Sequence, residues 1–119
     1  LTIENDNLHL TIALNYGGRD EIVRATKKIS EKVKLGVLNI DDITVEMFSN
    51  NLDTFDLPDP DLVIRTSGEV RTSNFLPWQC AYSEYVFEKT NWPDFNNDIY
   101  EEILIEFKNR ERRFGAILK

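Results

Sequence analysis

Arg65, Arg71 and Ser73 bring two guanidinium groups and a hydroxyl together within nine residues, and the turn between them carries Glu69. A guanidinium is a planar fork of donors that matches phosphate oxygens two at a time. Two such forks six residues apart, on either side of Ser67-Gly68, could neutralise a diphosphate. Ser73 adds one more donor, and a helix beginning near Ser73 or Asn74 would add backbone N–H groups and a favourable dipole. The same spacing also suits a surface network in which the arginines pair with Glu69 and nearby aspartates. Spacing alone leaves both readings open. Glu84 lies eleven residues beyond Ser73, about three turns along a straight helix. A carboxylate brought near bound phosphates usually needs a divalent cation between them, magnesium being the usual choice. A solvated glutamate at a helix end is the alternative.

The elements that would position these groups can be read on both sides. Leu62-Val63-Ile64 is a short apolar run after Pro60, suited to the central strand of a parallel sheet. The cationic turn leaves its carboxyl end, where ligands gather in open α/β sheets. Pro77 fits the first turn of the following helix, which is expected to run to about Glu84. Phe75, Leu76, Trp78, Ala81 and Tyr82 could line an apolar substrate channel or form core. Tyr85-Val86-Phe87 reads as another strand, and Trp92-Pro93-Asp94-Phe95 as a packed turn.

Upstream, Leu8, Leu10, Ile12 and Leu14 alternate with His9, Thr11 and Ala13, which predicts a strand over 8–16. His9, with no carboxylate pattern beside it, reads as a structural or partly solvated histidine. Gly17-Gly18 then allows a tight turn and a close approach. A helix is expected over 19–35, with Ile22, Val23, Ala25, Ile29 and Val33 as its apolar stripe and Gly36 as its stop. Thr44 is placed to cap a short helix ending near Leu52. Asp53, Asp56, Asp59 and Asp61 lack the glycine and spacing of a calcium loop and read as a solvated loop. Asn96 or Asn97 would cap a last helix to about Arg110, with Ile99, Ile103 and Phe107 on one face. The basic end that follows complements the helix dipole.

The 119 residues fit one domain with a mainly parallel α/β sheet. Net charge is −7, which argues against a broad nucleic-acid footprint while allowing a small basic pocket. One Cys and one His exclude a zinc site built from those ligands, and Cys80 can form no internal disulfide. No apolar run reaches the ~18–20 residues of a membrane span.

Together, Ile64 to Gln79, Ala81 to Glu84 and Trp92 to Phe95 resemble the carboxyl-terminal signature of the cis-prenyltransferases, most closely the undecaprenyl diphosphate synthase subgroup. Asn15 to Arg19 resembles an earlier family motif, and Asn109 to Gly115 the family's carboxyl-terminal end. The resemblance implies a transferase that condenses isopentenyl diphosphate onto an allylic, farnesyl-type diphosphate with cis stereochemistry. The product would be undecaprenyl diphosphate, a cell-wall lipid carrier. It implies magnesium as cofactor, with Glu84 as a metal ligand. Arg65, Arg71 and Ser73 would bind the isopentenyl diphosphate. Arg113 and Gly115 would reach the partner's active site in a homodimer. Gly17, Gly18 and Arg19 would shape the structure near the site. A cytoplasmic enzyme with peripheral membrane contact for product release is implied, as is the absence of nucleic-acid partners.

The family's Asp-Gly-Asn-Gly-Arg stretch has no counterpart here, nor has its downstream Asn-Trp segment, so the catalytic aspartate is unassigned. The chain opens on Leu1, and residues before it are expected to be missing. Residues 1–119 are therefore expected to be the carboxyl-terminal part of one catalytic domain, inactive alone. A non-catalytic dimerisation partner of a cis-prenyltransferase is the competing expectation.

Overall fold

A computed structural model describes residues 4–5 and 7–110. Helix α1, Gly18–Lys34, opens with Asp20 and Glu21 and closes with Lys32 and Lys34, so both ends complement the helix dipole. It stops as expected at Gly36, whose φ of 69° is left-handed. The Gly36 and Val37 amides return to the carbonyls of Val33 and Lys32, the paired bonds that close a helix end around such a glycine. Ala25 and Ile29 are buried, whereas Val23 is half exposed and falls off the predicted stripe.

Helix α2, Val45–Ser49, is capped by Thr44, whose hydroxyl accepts from the Met47 amide. Strand β1, Leu62–Arg65, pairs in parallel with strand β2, Glu84–Phe87. Helix α3, Asn97–Asn109, is capped by Asn96, which accepts from the Ile99 amide, and buries Ile103. Trp92–Asp94 forms a 3-10 turn, with the Trp92 and Phe95 rings stacked at 5.9 Å. The described core is small: Ala25, Ile29, Leu52, Cys80, Val86 and Ile103. No helix among the described residues is long and apolar enough to cross a membrane.

Two expectations need correction. Residues 8–14 form no strand, because none of their backbone groups finds a partner among the described residues. Leu8, Leu10, Ile12 and Leu14 are 71–83% exposed, so the alternation predicted from sequence faces solvent on both sides. The second correction is between Ser73 and Glu84, where no α-helix forms. Ser73, Asn74 and Leu76 all take left-handed backbone angles, which break helical propagation, and only a 3-10 turn at Gln79–Tyr82 follows. Glu84 therefore begins β2 rather than ending a helix.

Candidate diphosphate site

Arg65 stands at the carboxyl end of β1, and its Nη1 donates to the Arg71 carbonyl at 2.6 Å. This bond closes the loop between the two arginines. The turn at Ser67-Gly68, both left-handed, is held from the other strand. The Ser67 and Gly68 amides donate to the carbonyls of Thr90 and Glu88, and the Glu88 amide donates to the Arg65 carbonyl. The Thr90 amide and hydroxyl donate to the Glu88 carboxylate, which lowers its pKa.

Arg71 pairs with Glu69, as the ion-pair reading anticipated. Its side chain is nevertheless 62% exposed, and a pair this open contributes only about 0–1 kcal/mol. A doubly charged anion can displace Glu69 at little cost. The two arginines and Thr72 line a cleft of about 170 Å³ with Phe75, Tyr85 and Phe87 as its apolar wall. The Tyr85 and Phe87 rings stack at 5.9 Å. The cleft is thus cationic on one side and aromatic on the other. Ser73 is exposed in the adjoining loop. The predicted helix start is absent, so the site's donors are arginine side chains and loop groups.

Glu84 is placed elsewhere. It pairs with Leu62, three positions back along the sheet from Arg65, or about 10 Å at the usual strand rise. Side chains alternate across a strand, so Glu84 shares a face with Val86, while Tyr85 and Phe87 face the cleft. Its carboxylate accepts from Arg110 Nη1 at 3.0 Å, and Arg110 also donates to the Tyr85 carbonyl and pairs with Glu106. These carboxylates raise the Arg110 pKa. The described residues contain no cluster of three or more metal-ligating side chains. Glu84 is thus engaged by Arg110 on the face of β2 opposite the cleft. Arg113 and Gly115 lie outside the described residues.

Of the aromatic stretch, Phe75 joins the cleft wall and Tyr82 is exposed. Trp78 packs on Phe48 at 4.4 Å and donates to the Ser49 hydroxyl. The sequence reading missed a buried polar corner. Glu21, only 1% exposed, accepts from the Tyr16 hydroxyl at 2.5 Å, the Asp53 amide at 2.7 Å and Gln79 Nε2 at 3.1 Å. Burial and the Glu21 carboxylate push the Tyr16 pKa up. A glutamate one position before the helix stripe's Ile22 was its only signal.

Residues 1–115 match the family model described as "Putative undecaprenyl diphosphate synthase" (Prenyltransf), and the chain belongs to this prenyltransferase family. The isoprenyl transferase of Bacillus subtilis is 57% identical over 116 residues, which are 98% of this chain and 45% of that protein. The isoprenyl transferase of Clostridium perfringens is 53% identical, with 98% and 46% covered. Among solved structures, lavandulyl diphosphate synthase from Lavandula x intermedia, in complex with dimethylallyl diphosphate, superposes with a TM-score of 0.83 at 40% identity. That match covers 87% of this chain and 45% of the other. A probable undecaprenyl diphosphate synthase from Campylobacter jejuni gives 0.74 at 41% identity, with 87% and 46% covered. The chain spans about half the length of the curated relatives it matches.

Proposed function

We propose that this chain carries the isopentenyl diphosphate subsite of a cis-prenyltransferase that builds undecaprenyl diphosphate from an allylic, farnesyl-type primer. The observation behind the proposal is the cleft at the end of β1, where Arg65 is locked to the Arg71 carbonyl and an accessible Arg71 faces a stacked aromatic wall. Arg65 and Arg71 neutralise the diphosphate, Ser73 adds a hydroxyl donor, and Phe75, Tyr85 and Phe87 exclude water from the hydrocarbon end.

The subsite is one part of a larger site. Residues 8–14 have strand patterning without strand partners, and the relatives are about twice as long. We therefore assign the allylic site and the catalytic aspartate to residues beyond these 119. Magnesium belongs to that completed site, with Glu84 released from Arg110 as the ligand this chain would contribute and the other carboxylate coming from beyond these residues. Arg113 and Gly115 completing a partner's site in a homodimer, and a cytoplasmic location with peripheral membrane contact, belong to the same proposal.

The test uses radiolabelled isopentenyl diphosphate, farnesyl diphosphate and magnesium. The chain alone should give no polyprenyl product. Mixed with the part of the Bacillus subtilis relative that it does not match, it should give product, and Arg65→Ala should abolish it. Product from the chain alone would overturn the division of the site. Product that survives Arg65→Ala would overturn the role of the cleft.

A further inference from the structure

The amino end of α1 lacks a cap of its own. Gly17 occupies the cap position and has no side chain to offer, so the first-turn amides need an acceptor from elsewhere. Asn74, more than fifty residues away, supplies two. Its backbone carbonyl accepts from the Gly18 amide at 2.9 Å, and its Oδ1 accepts from the Arg19 amide at 2.9 Å. The approach is close: a Cβ on Gly18 would overlap the Pro77 ring and sit 3.1 Å from the Asn74 carbonyl oxygen. A Cβ on Gly17 would meet the Asn74 amide nitrogen at 3.2 Å. Asn74 and Ser73 both hold left-handed backbone angles, φ 65° and 49°. Asparagine tolerates that region better than most residues.

We infer that Asn74 is the positioning residue of the diphosphate loop: by capping α1 from a distance it fixes the backbone of Thr72 and Ser73 beside Arg71. The inference rests on the proposed function for its consequence, but its geometry is independent of any ligand. The loop between β1 and β2 has no α-helix to stiffen it. Its near end is held by Arg65 on the Arg71 carbonyl, and its far side by Asn74 on α1. Ser73 lies between these two ties. Gly18 is the matching half of the device, because a Cβ there would overlap the Pro77 ring, whereas one on Gly17 would only crowd the Asn74 side chain.

The test uses the 119-residue chain, amide exchange read by NMR, and titration with inorganic pyrophosphate. Asn74→Gly keeps the left-handed backbone accessible and removes only the side-chain acceptor. It should speed exchange of the Arg19 amide about fivefold, the factor that loss of a helix cap of ~1 kcal/mol corresponds to. It should also shift the Thr72 and Ser73 amides and weaken pyrophosphate binding by a similar factor, while β1 and β2 amides keep their exchange rates. Asn74→Asp retains the acceptor, and its negative charge suits a helix start, so it should restore protection of the Arg19 amide. Unchanged Arg19 exchange and unchanged loop shifts in Asn74→Gly would overturn the inference, as would an Asn74→Asp variant that exchanges like Asn74→Gly. If the unsubstituted chain fails to bind pyrophosphate, the functional proposal falls, and the positioning role is still decided by the exchange rates and loop shifts.

Discussion

The two sides of Asn15 are built in opposite ways. On the carboxyl side, Tyr16, Glu21, Asp53 and Gln79 form a buried polar corner in which one carboxylate meets three donors. On the amino side, residues 8–14 are apolar by alternation, open to solvent, and without a backbone partner among the described residues. The first region draws its partners from within the chain: α1, the loop after α2 and the 3-10 turn before β2. The second has the pattern of a sheet strand, which is stable only when neighbours fill its N–H and C=O groups. The arginine cleft lies between these extremes, tied by hydrogen bonds on its loop side and walled by a sheet of two strands.

The largest expected effect is at the corner. Glu21→Ala leaves the part-buried Tyr16 hydroxyl and Asp53 amide without their acceptor, while Gln79 keeps only its bond to the Thr54 hydroxyl. It should lower stability by about 3 kcal/mol or more, at ~1–3 kcal/mol per unsatisfied group, measurable by urea denaturation. Leu10→Thr, on the open side, should change stability by less than about 0.5 kcal/mol, since an exposed side chain away from special features contributes little. If these two effects proved similar, the contrast between the regions would be wrong.

Gly18→Ala comes next. Its methyl group meets the Pro77 ring, so the loop must move, with an expected loss of about 1–3 kcal/mol in a thermal or urea melt. Arg65→Ala should weaken pyrophosphate binding by about tenfold or more, because it removes a charge-assisted donor and the tie to the Arg71 carbonyl. Calorimetric titration checks this. Glu84→Gln should leave pyrophosphate affinity in the absence of metal within about twofold, because Glu84 faces away from the cleft and pairs with Arg110. A large loss there would place Glu84 in the site after all.

The smallest effect is the pH dependence at the edge of the corner. Arg24 donates to Asp53 and holds its carboxyl below the ordinary value of about 3.9. A depressed carboxylate stabilises the fold above its unfolded pKa, and that stability is lost as pH falls through the folded value. Since both side chains are about 40% exposed and screened by solvent, the contribution is small. Melting temperatures of Asp53→Asn and the parent should therefore differ at pH 6 and converge as the pH falls below the ordinary carboxylate range. At the other extreme the raised Tyr16 pKa works in the opposite sense. Its contribution is complete below about pH 10 and is lost as pH rises through the elevated folded value.

Local signals were legible in the sequence where local chemistry decides structure. Gly36 marked the end of α1, Thr44 and Asn96 marked their helix starts, and Val63-Ile64 and Tyr85-Phe87 marked the paired strands. The pairing of Arg65 and Arg71 around one turn was likewise readable, because a strand end and a turn place such residues close together. Other features depended on contacts far apart in sequence. The run 74–84 has the composition of a helix, but Asn74 is drawn onto α1 and Gln79 onto Glu21, and these ties override propensity. Glu84 was expected at the end of a helix three turns from Ser73, whereas it begins β2 and the strand register puts it on the face opposite the cleft. The strand over 8–16 failed for a different reason: alternation states what a segment buries once it is paired and cannot supply the pair.

The most direct test of the account is a titration of this chain with isopentenyl diphosphate, followed by amide and side-chain NMR, with Arg65→Ala alongside. The account predicts saturable shifts confined to Arg65–Phe75 and Tyr85–Phe87, largely abolished by the substitution. No shifts there, or shifts of the same size in Arg65→Ala, would contradict the claim that this cleft is a diphosphate site.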